Sequence, residues 1–160
     1  MTIVYFSLGS NVGDRQRNLR TAIAALDEAG VKVRKISKIY ETEPVDYLQQ
    51  DWFLNCVVEG KTNRDSAELL QGLRGIEDKM GSAKPFAKGP RLIDLDILYF
   101  NDAVIDSAGL QIPHPRMADR RFVLVPLAEI APSLRHPITQ KTTAEMLQAT
   151  GDRSEVREIP

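Results

Sequence analysis

Apolar residues dominate positions 2–8 and then give way to Gly9-Ser10-Asn11-Val12-Gly13, a pattern that predicts a short strand closed by a turn. Asp14 stands where a helix cap belongs, ahead of Leu19, Ala22, Ile23 and Leu26 at helical spacing, and Gly30 is placed to stop that helix. Val31, Val33, Ile36 and Ile39 suggest an extended segment with imperfect alternation, followed by a polar loop over 41–51 that contains Pro44. Positions 52–60 read as the next strand. Asp65-Ser66-Ala67-Glu68 has the layout of a capping box, and Leu69, Leu73, Ile76 and Met80 mark one helical face up to Gly81. A second irregular loop, 82–90, leads into a strand with the sequence Ile93-Asp94-Leu95-Asp96-Ile97-Leu98. The order strand, helix, strand, strand, helix, strand is that of a ferredoxin-like βαββαβ sandwich of the α+β class, with an antiparallel sheet and helices on one or both faces. Two strands with no helix between them argue against a doubly wound parallel sheet. C-terminal additions are expected: a proline-rich turn at 112–115, a helix near 125–130 and a late helix from Thr142.

The strand after the second loop also carries the chemistry. Side chains alternate faces along a strand, so Asp94 and Asp96 share one face while Ile93, Leu95 and Ile97 share the other. At about 3.3 Å of rise per residue the two aspartates lie roughly 6.5–7 Å apart, a separation suited to one or two magnesium ions bridged by phosphate oxygens. Acidic side chains beside a hydrophobic run are costly without a cation. Arg91, just upstream in Gly89-Pro90-Arg91, offers a planar fork for a phosphate or a salt bridge to Asp94.

Composition narrows the class. A chain of 160 residues, 42% hydrophobic and 27% charged, is expected to form a single catalytic domain over 1–160. Its net charge of −1 gives no electrostatic reason for a nucleic acid or membrane partner, so any bound anion must be held by a local cluster. A single cysteine, Cys56, excludes an internal disulfide and a cysteine-rich zinc site, and its apolar neighbours suggest an inert buried thiol. No basic-then-apolar leader is visible and no apolar run approaches the roughly 18–20 residues of a membrane span, so a cytoplasmic protein is expected.

Other candidates surround the acid pair. Ile112-Pro113-His114-Pro115-Arg116 continues through Met117-Ala118-Asp119-Arg120-Arg121-Phe122, gathering an imidazole and several guanidiniums between prolines. Such a cluster can clamp a polyphosphate. For Arg116 and Arg121 an exposed basic turn is the better reading, whereas His114 is held between two prolines. Asn55 can meet the edge of a heterocycle, and Phe53 on the same strand face can stack on its ring; a core Phe beside a strand-end Asn accounts for the pair equally well. Gly9 to Gly13 lacks the lysine and spacing of a Walker loop, and a strand-to-helix turn explains those glycines better. Glu77 and Arg74 are spaced to pair with each other, and Lys84 and Lys88 are loop cations that could close over a nucleotide.

Taken together these residues resemble the 6-hydroxymethyl-7,8-dihydropterin pyrophosphokinase family of folate biosynthesis, over nearly the whole chain. The carriers are Gly9-Ser10-Asn11, Tyr40-Glu41-Thr42-Glu43-Pro44, Phe53-Leu54-Asn55, the segment from Gly89 to Leu98, Pro113-His114-Pro115-Arg116-Met117, and Arg120-Arg121-Phe122 running on to Pro132. The resemblance implies a ferredoxin-like fold and transfer of pyrophosphate from ATP to the pterin hydroxymethyl group, releasing AMP. It also implies that Asp94 and Asp96 hold two Mg²⁺ ions on the ATP phosphates, that Arg91 and Arg120 contact those phosphates, and that His114, Lys84, Glu77 and Ile97 serve the nucleotide. Asn55 would bond the pterin between Phe53 and Phe122, with groups near Thr42 and Val45 completing the pocket. Mobile loops would correspond to 43–51 and 82–88. The chain departs from some members in having lysines and no tryptophan in the second loop, Pro115 after the histidine, and Gly109 near the place of an arginine. ATP and the pterin are the expected partners, acting on a monomer.

Two rival classes remain open at this level. A non-catalytic ferredoxin-like ligand-binding domain would explain the fold and Asn55 but not the acids beside the arginines. Another magnesium-dependent phosphotransferase or nucleotidyltransferase would use the same acids on a different acceptor.

Overall fold

The computed structural model describes residues 1–45, 47–81 and 89–160. Its elements run β1 (Thr2–Ser10), α1 (Arg15–Ala25), β2 (Val31–Ile36), β3 (Tyr40–Thr42), β4 (Phe53–Thr62), α2 (Ser66–Lys79) and β5 (Asp94–Phe100). There follow the hairpin β6 (Ile105–Ser107) and β7 (Leu110–Ile112), then α3 (Arg121–Ile130), α4 (Thr143–Ala149) and β8 (Val156–Glu158).

The main sheet has the order β5-β1-β4-β3-β8, with β2 also paired to β4, and its ladders are antiparallel. β2 lies along the 58–62 end of β4 and β3 along its 53–55 end, so the two together act as one interrupted strand. With that equivalence, the order and directions are those of the ferredoxin-like βαββαβ sandwich expected from the sequence. The N-terminal capping signals also hold: Asp14 accepts from the Arg17 N–H at the start of α1, and Asp65 and Glu68 close a capping box on α2. Gly30 does not stop α1, which ends at Ala25 with Leu26 as its C-cap; it takes φ +82° at the end of the turn that follows.

Alternation sorts the sheet into two faces. Val4, Phe6, Leu8, Leu54, Cys56, Val58, Leu95 and Ile97 pack with Leu19, Leu26, Leu69 and Leu73 of the helical layer formed by α1 and α2. The opposite face carries Tyr5, Val57, Leu98 and Tyr99 against α3 and α4. A register shift between Tyr5 and Phe6 in the β1–β5 ladder explains why the consecutive Leu98 and Tyr99 both belong to this second cluster. The rest of that second face, toward the chain end of β1, is left to the polar residues of the site.

Several elements differ from the sequence reading. β1 extends two residues further, to Ser10, so Gly9 lies within the strand and is not a turn residue. The segment expected to be wholly loop over 41–51 begins inside β3. α3 starts at Arg121, where the apolar pattern had suggested 125. The hairpin β6–β7 and the strand β8 have little local apolar signal, and both exist through pairing.

Candidate active site

The site is built on three adjacent strands. In the ladder register Gly9 of β1 stands opposite Asn55 of β4 on one side and Asp94 of β5 on the other, while Ser7 stands opposite Asp96. Gly9 presents no side chain between Asn55 and Asp94, so the sheet forms a trough there. A Cβ on Gly9 would lie 2.6 Å from Asn55 Oδ1 and 3.6 Å from the Phe53 ring. The glycine is required by this close approach and not by an unusual backbone angle.

Over the trough is a cavity of about 140 Å³ lined by Thr42, Val45, Phe53, Asn55 and Phe122 together with Arg91, Asp94, Asp96 and Arg120. Asn55 is 4% exposed and donates through Nδ2 to Thr42 Oγ1 at 2.5 Å, which fixes the amide plane. Phe122 comes from the first turn of α3, and the Arg120 guanidinium lies 5.4 Å from its ring centroid. Arg91 is buried; its Nη1 donates to the Gly89 carbonyl at 2.8 Å, and its backbone N–H donates to Asn11 Oδ1 at 2.7 Å. Asn11 also donates to Gln50 Oε1 and to the Asp51 carbonyl, both at 2.9 Å, tying the arginine segment to the end of the first loop. Nothing in the pattern of the chain singled out Asn11 for this, because its partners lie 39 to 80 residues away.

A second cavity, of about 360 Å³, lies beside the first and is lined by Leu70, Arg74, Ile97, Leu110, Gln111 and His114 among others. Asp96 lines both and therefore stands at their junction. Burial pushes the Asp96 carboxyl up to about 7, with the neighbouring Asp94 charge adding to the shift. Ionising both carboxyls there is costly without a cation beside them. Among the described residues no third His, Cys, Asp or Glu joins them, so a hard divalent ion held here would complete its oxygen shell from phosphate and water. His114 is driven the other way, to about 4, first by burial and then by the Arg120 charge, so its ring is neutral at pH 7. Its Nδ1 accepts the Arg116 N–H at 3.1 Å, which leaves the ring proton on Nε2 as a donor.

Glu77 is placed behind the site and not at its wall. It is 3% exposed, pairs with Arg74 at 2.7 Å and accepts the Leu95 N–H at 2.9 Å, holding α2 against β5. Arg74 makes the pair with Glu77 that its spacing suggested, and it also reaches the second cavity and donates to the Leu95 carbonyl at 3.1 Å. Lys84, Lys88 and the 82–88 loop lie outside the described residues, as does Asp46 of the first loop. Arg116 is exposed, and Arg121 turns away from the cavity to donate to the Ser154 carbonyl at 3.1 Å.

Known proteins resemble this chain. The family model for 7,8-dihydro-6-hydroxymethylpterin-pyrophosphokinase (HPPK) matches residues 5–132. The chain is 48% identical over 142 residues to the 2-amino-4-hydroxy-6-hydroxymethyldihydropteridine pyrophosphokinase of Bacillus subtilis, covering 88% of this chain and 85% of that one. The corresponding protein of Aquifex aeolicus is 41% identical over 145 residues, with 91% and 90% covered. The match to the folic acid synthesis protein FOL1 of Dictyostelium discoideum, 38% identical, covers 99% of this chain but 24% of that longer one. Among solved structures, an HPPK-DHPS of Plasmodium falciparum superposes with a TM-score of 0.75 at 18% identity, over 92% of this chain and 43% of that chain.

Proposed function

The chain belongs to the 7,8-dihydro-6-hydroxymethylpterin-pyrophosphokinase family, and from that membership we propose that the two joined cavities are where its pyrophosphoryl transfer takes place. The reaction attaches a pyrophosphoryl group to the hydroxymethyl substituent of 6-hydroxymethyl-7,8-dihydropterin, a step of folate biosynthesis. The observation that carries the assignment is Asp96, which lines the first cavity and the second cavity at once.

In this reading the pterin lies in the smaller cavity, with Asn55 bonding its edge and the Phe53 and Phe122 rings flanking its faces. Thr42 and Val45 complete the pocket; Thr42 acts chiefly by holding the Asn55 amide. ATP occupies the second cavity, its base against Leu70, Ile97 and Leu110 and its phosphates extending toward Asp96. His114 donates through Nε2, while Arg91, Arg120 and Arg74 offset phosphate charge. The pterin hydroxyl oxygen attacks the β-phosphorus in line and gives up its proton to solvent water, the bond from the β-phosphorus to the bridging oxygen breaks, and AMP departs with that oxygen. Asp94 and Asp96 fit a pair of Mg²⁺ ions brought by ATP; when bound, these supply charge neutralisation at the attacking and leaving oxygens. As ligands of such ions both aspartates would be poor proton acceptors. The chain's main contribution is alignment: two pockets meeting at a carboxylate, with cationic side chains around the point of transfer.

Incubating the protein with ATP, Mg²⁺ and 6-hydroxymethyl-7,8-dihydropterin and resolving the nucleotides tests this directly. Pterin-dependent AMP that disappears with EDTA is the expected result. ADP would indicate a phosphoryl kinase, free pyrophosphate a nucleotidyltransferase, and either would overturn the proposal.

A further inference from the structure

The two walls of the pterin cavity come from different elements, the Thr42–Val45 wall from the end of β3 and the Phe122 wall from the start of α3. One short segment near the C-terminus grips both. It lies beyond residues 5–132, the part of the chain shared with the family model, and none of its residues lines the cavity.

At α3, the residue preceding the helix is Arg120, whose side chain makes no capping hydrogen bond. The N–H of Arg121 is instead accepted by Asp152 Oδ2 at 2.8 Å, from 31 residues away. A carboxylate at a helix N-terminus is favoured by the exposed N–H groups and by the helix dipole. Burial raises the Asp152 pKa, but hydrogen bonds from Ser154 and from the Arg121 N–H outweigh that and hold it below its ordinary value. Ser154 returns the contact, bonding Asp152 Oδ1 through N at 2.9 Å and Oγ at 2.6 Å while its carbonyl accepts from Arg121 Nε at 3.1 Å.

Immediately afterwards the chain joins the other wall. Glu155 and Glu43 exchange hydrogen bonds of 2.9 and 3.0 Å, and β8 pairs Val156 with Thr42 and Arg157 with Glu41. Arg157 donates twice to Glu41 Oε1, at 2.6 and 3.1 Å, and its guanidinium lies 4.9 Å from the Trp52 ring centroid. Arg15 of α1 holds the second Glu41 oxygen at 3.0 Å. Glu41 immediately precedes Thr42, the acceptor of the Asn55 amide.

We propose that residues 152–158 are a strap that sets the spacing of the pterin pocket, with Asp152 and Arg157 as positioning residues for the Phe122 and Thr42 walls. The inference rests on the assignment of that cavity to the pterin. Releasing either end leaves the acid pair on β5 and Arg91 in place but lets one wall relax, so the main effect is weaker pterin binding while most of the turnover at saturation survives. A residue that only stabilises the fold would instead reduce the active fraction, lowering kcat with KM unchanged.

The test compares Arg157→Ala, Asp152→Ala and Asp152→Asn with wild type in steady-state kinetics, alongside Asn55→Ala. Arg157→Ala and Asp152→Ala are expected to raise the pterin KM by about 5-fold or more with kcat retained. Arg157→Ala leaves the ATP KM within about 2-fold, because β3 does not border the nucleotide cavity. Asp152→Asn, which keeps an oxygen for the Arg121 N–H, recovers most of the affinity. Pterin titration against a matched concentration of folded protein keeps the comparison valid for a less stable variant. An unchanged pterin KM in both alanine variants, or a loss confined to kcat, overturns the strap. An Asn55→Ala enzyme with wild-type pterin KM would instead sink the pocket assignment itself.

Discussion

Gly9→Ala isolates the trough with a single methyl group. The backbone at Gly9 is ordinary extended strand, so alanine brings no φ strain and improves strand propensity slightly. Its Cβ, however, would sit 2.6 Å from Asn55 Oδ1. A carbon–oxygen contact needs about 3.3 Å, so the amide must withdraw by roughly 0.7 Å. Asn55 cannot move freely, because it is 4% exposed and its Nδ2 is already bonded to Thr42 at 2.5 Å. Displacing it weakens that bond and misaims the amide at the pterin, a loss of about 1–3 kcal/mol for a buried polar group with a spoiled partner. At about 1.4 kcal/mol per decade this is a rise of roughly 5- to 150-fold in pterin Kd. Pterin titration and steady-state kinetics give the readout, with ATP affinity expected to change little because Gly9 does not line the second cavity. Gly75→Ala is the control. That position is an exposed site in α2 with open space where the added methyl would go, and alanine there should stabilise by about 0.5–1 kcal/mol without touching KM. A Gly9→Ala enzyme with wild-type pterin affinity, or one whose ATP and pterin affinities fall together, refutes the reasoning.

Asp94→Ala or Asp96→Ala should collapse turnover while pterin affinity survives much better; equal loss of pterin binding would contradict their assignment to the metal and phosphates. His136 is buried, its Nδ1 accepts from the Ile138 and Thr139 N–H groups at 3.2 and 3.3 Å, and burial holds its pKa below the ordinary 6.5. The unfolded chain therefore takes up the proton first: stability is complete above about pH 6.5 and declines as the pH falls through the lower folded value. Urea midpoints at pH 7.5 and 5.5 should show this loss in wild type and a smaller one in His136→Asn; identical losses would exclude His136 as the cause. Cys56 is fully buried and burial pushes its thiol up to about 12, so native protein should resist alkylation at pH 8 and react only on unfolding. Rapid modification under native conditions would contradict the packing around β4.

Residues whose role follows from their near neighbours were legible in the chain. Asp94 and Asp96 share a face because a strand alternates, and α2 starts at Ser66 because Asp65 and Glu68 cap each other across a single turn. The aspartates, Asn55 and His114 could be nominated from those local patterns, and the resemblance to a family assigned roles to them. Their meeting in one place could not be read locally, because it depends on β1 lying between β4 and β5.

What the tertiary structure alone decided are the relations whose partners are far apart in the chain. Gly9 looks like a turn glycine until the register sets it beside Asn55, and Asn11 looks like loop polarity until it is found bonding residues 39 to 80 positions away. Arg74 reaches a cavity because α2 packs on β5, and β8 becomes a strand because β3 offers it an edge, with Arg157 and Glu41 joined across 116 residues. The sequence by itself determined the elements of the βαββαβ core, the faces of their strands and the caps that start α1 and α2, since periodicity and capping act within a turn or a pleat. Which faces meet, which glycine must stay bare and which distant side chain secures a pocket wall were decided by packing, where the free energy depends on neighbours that only the folded chain brings together.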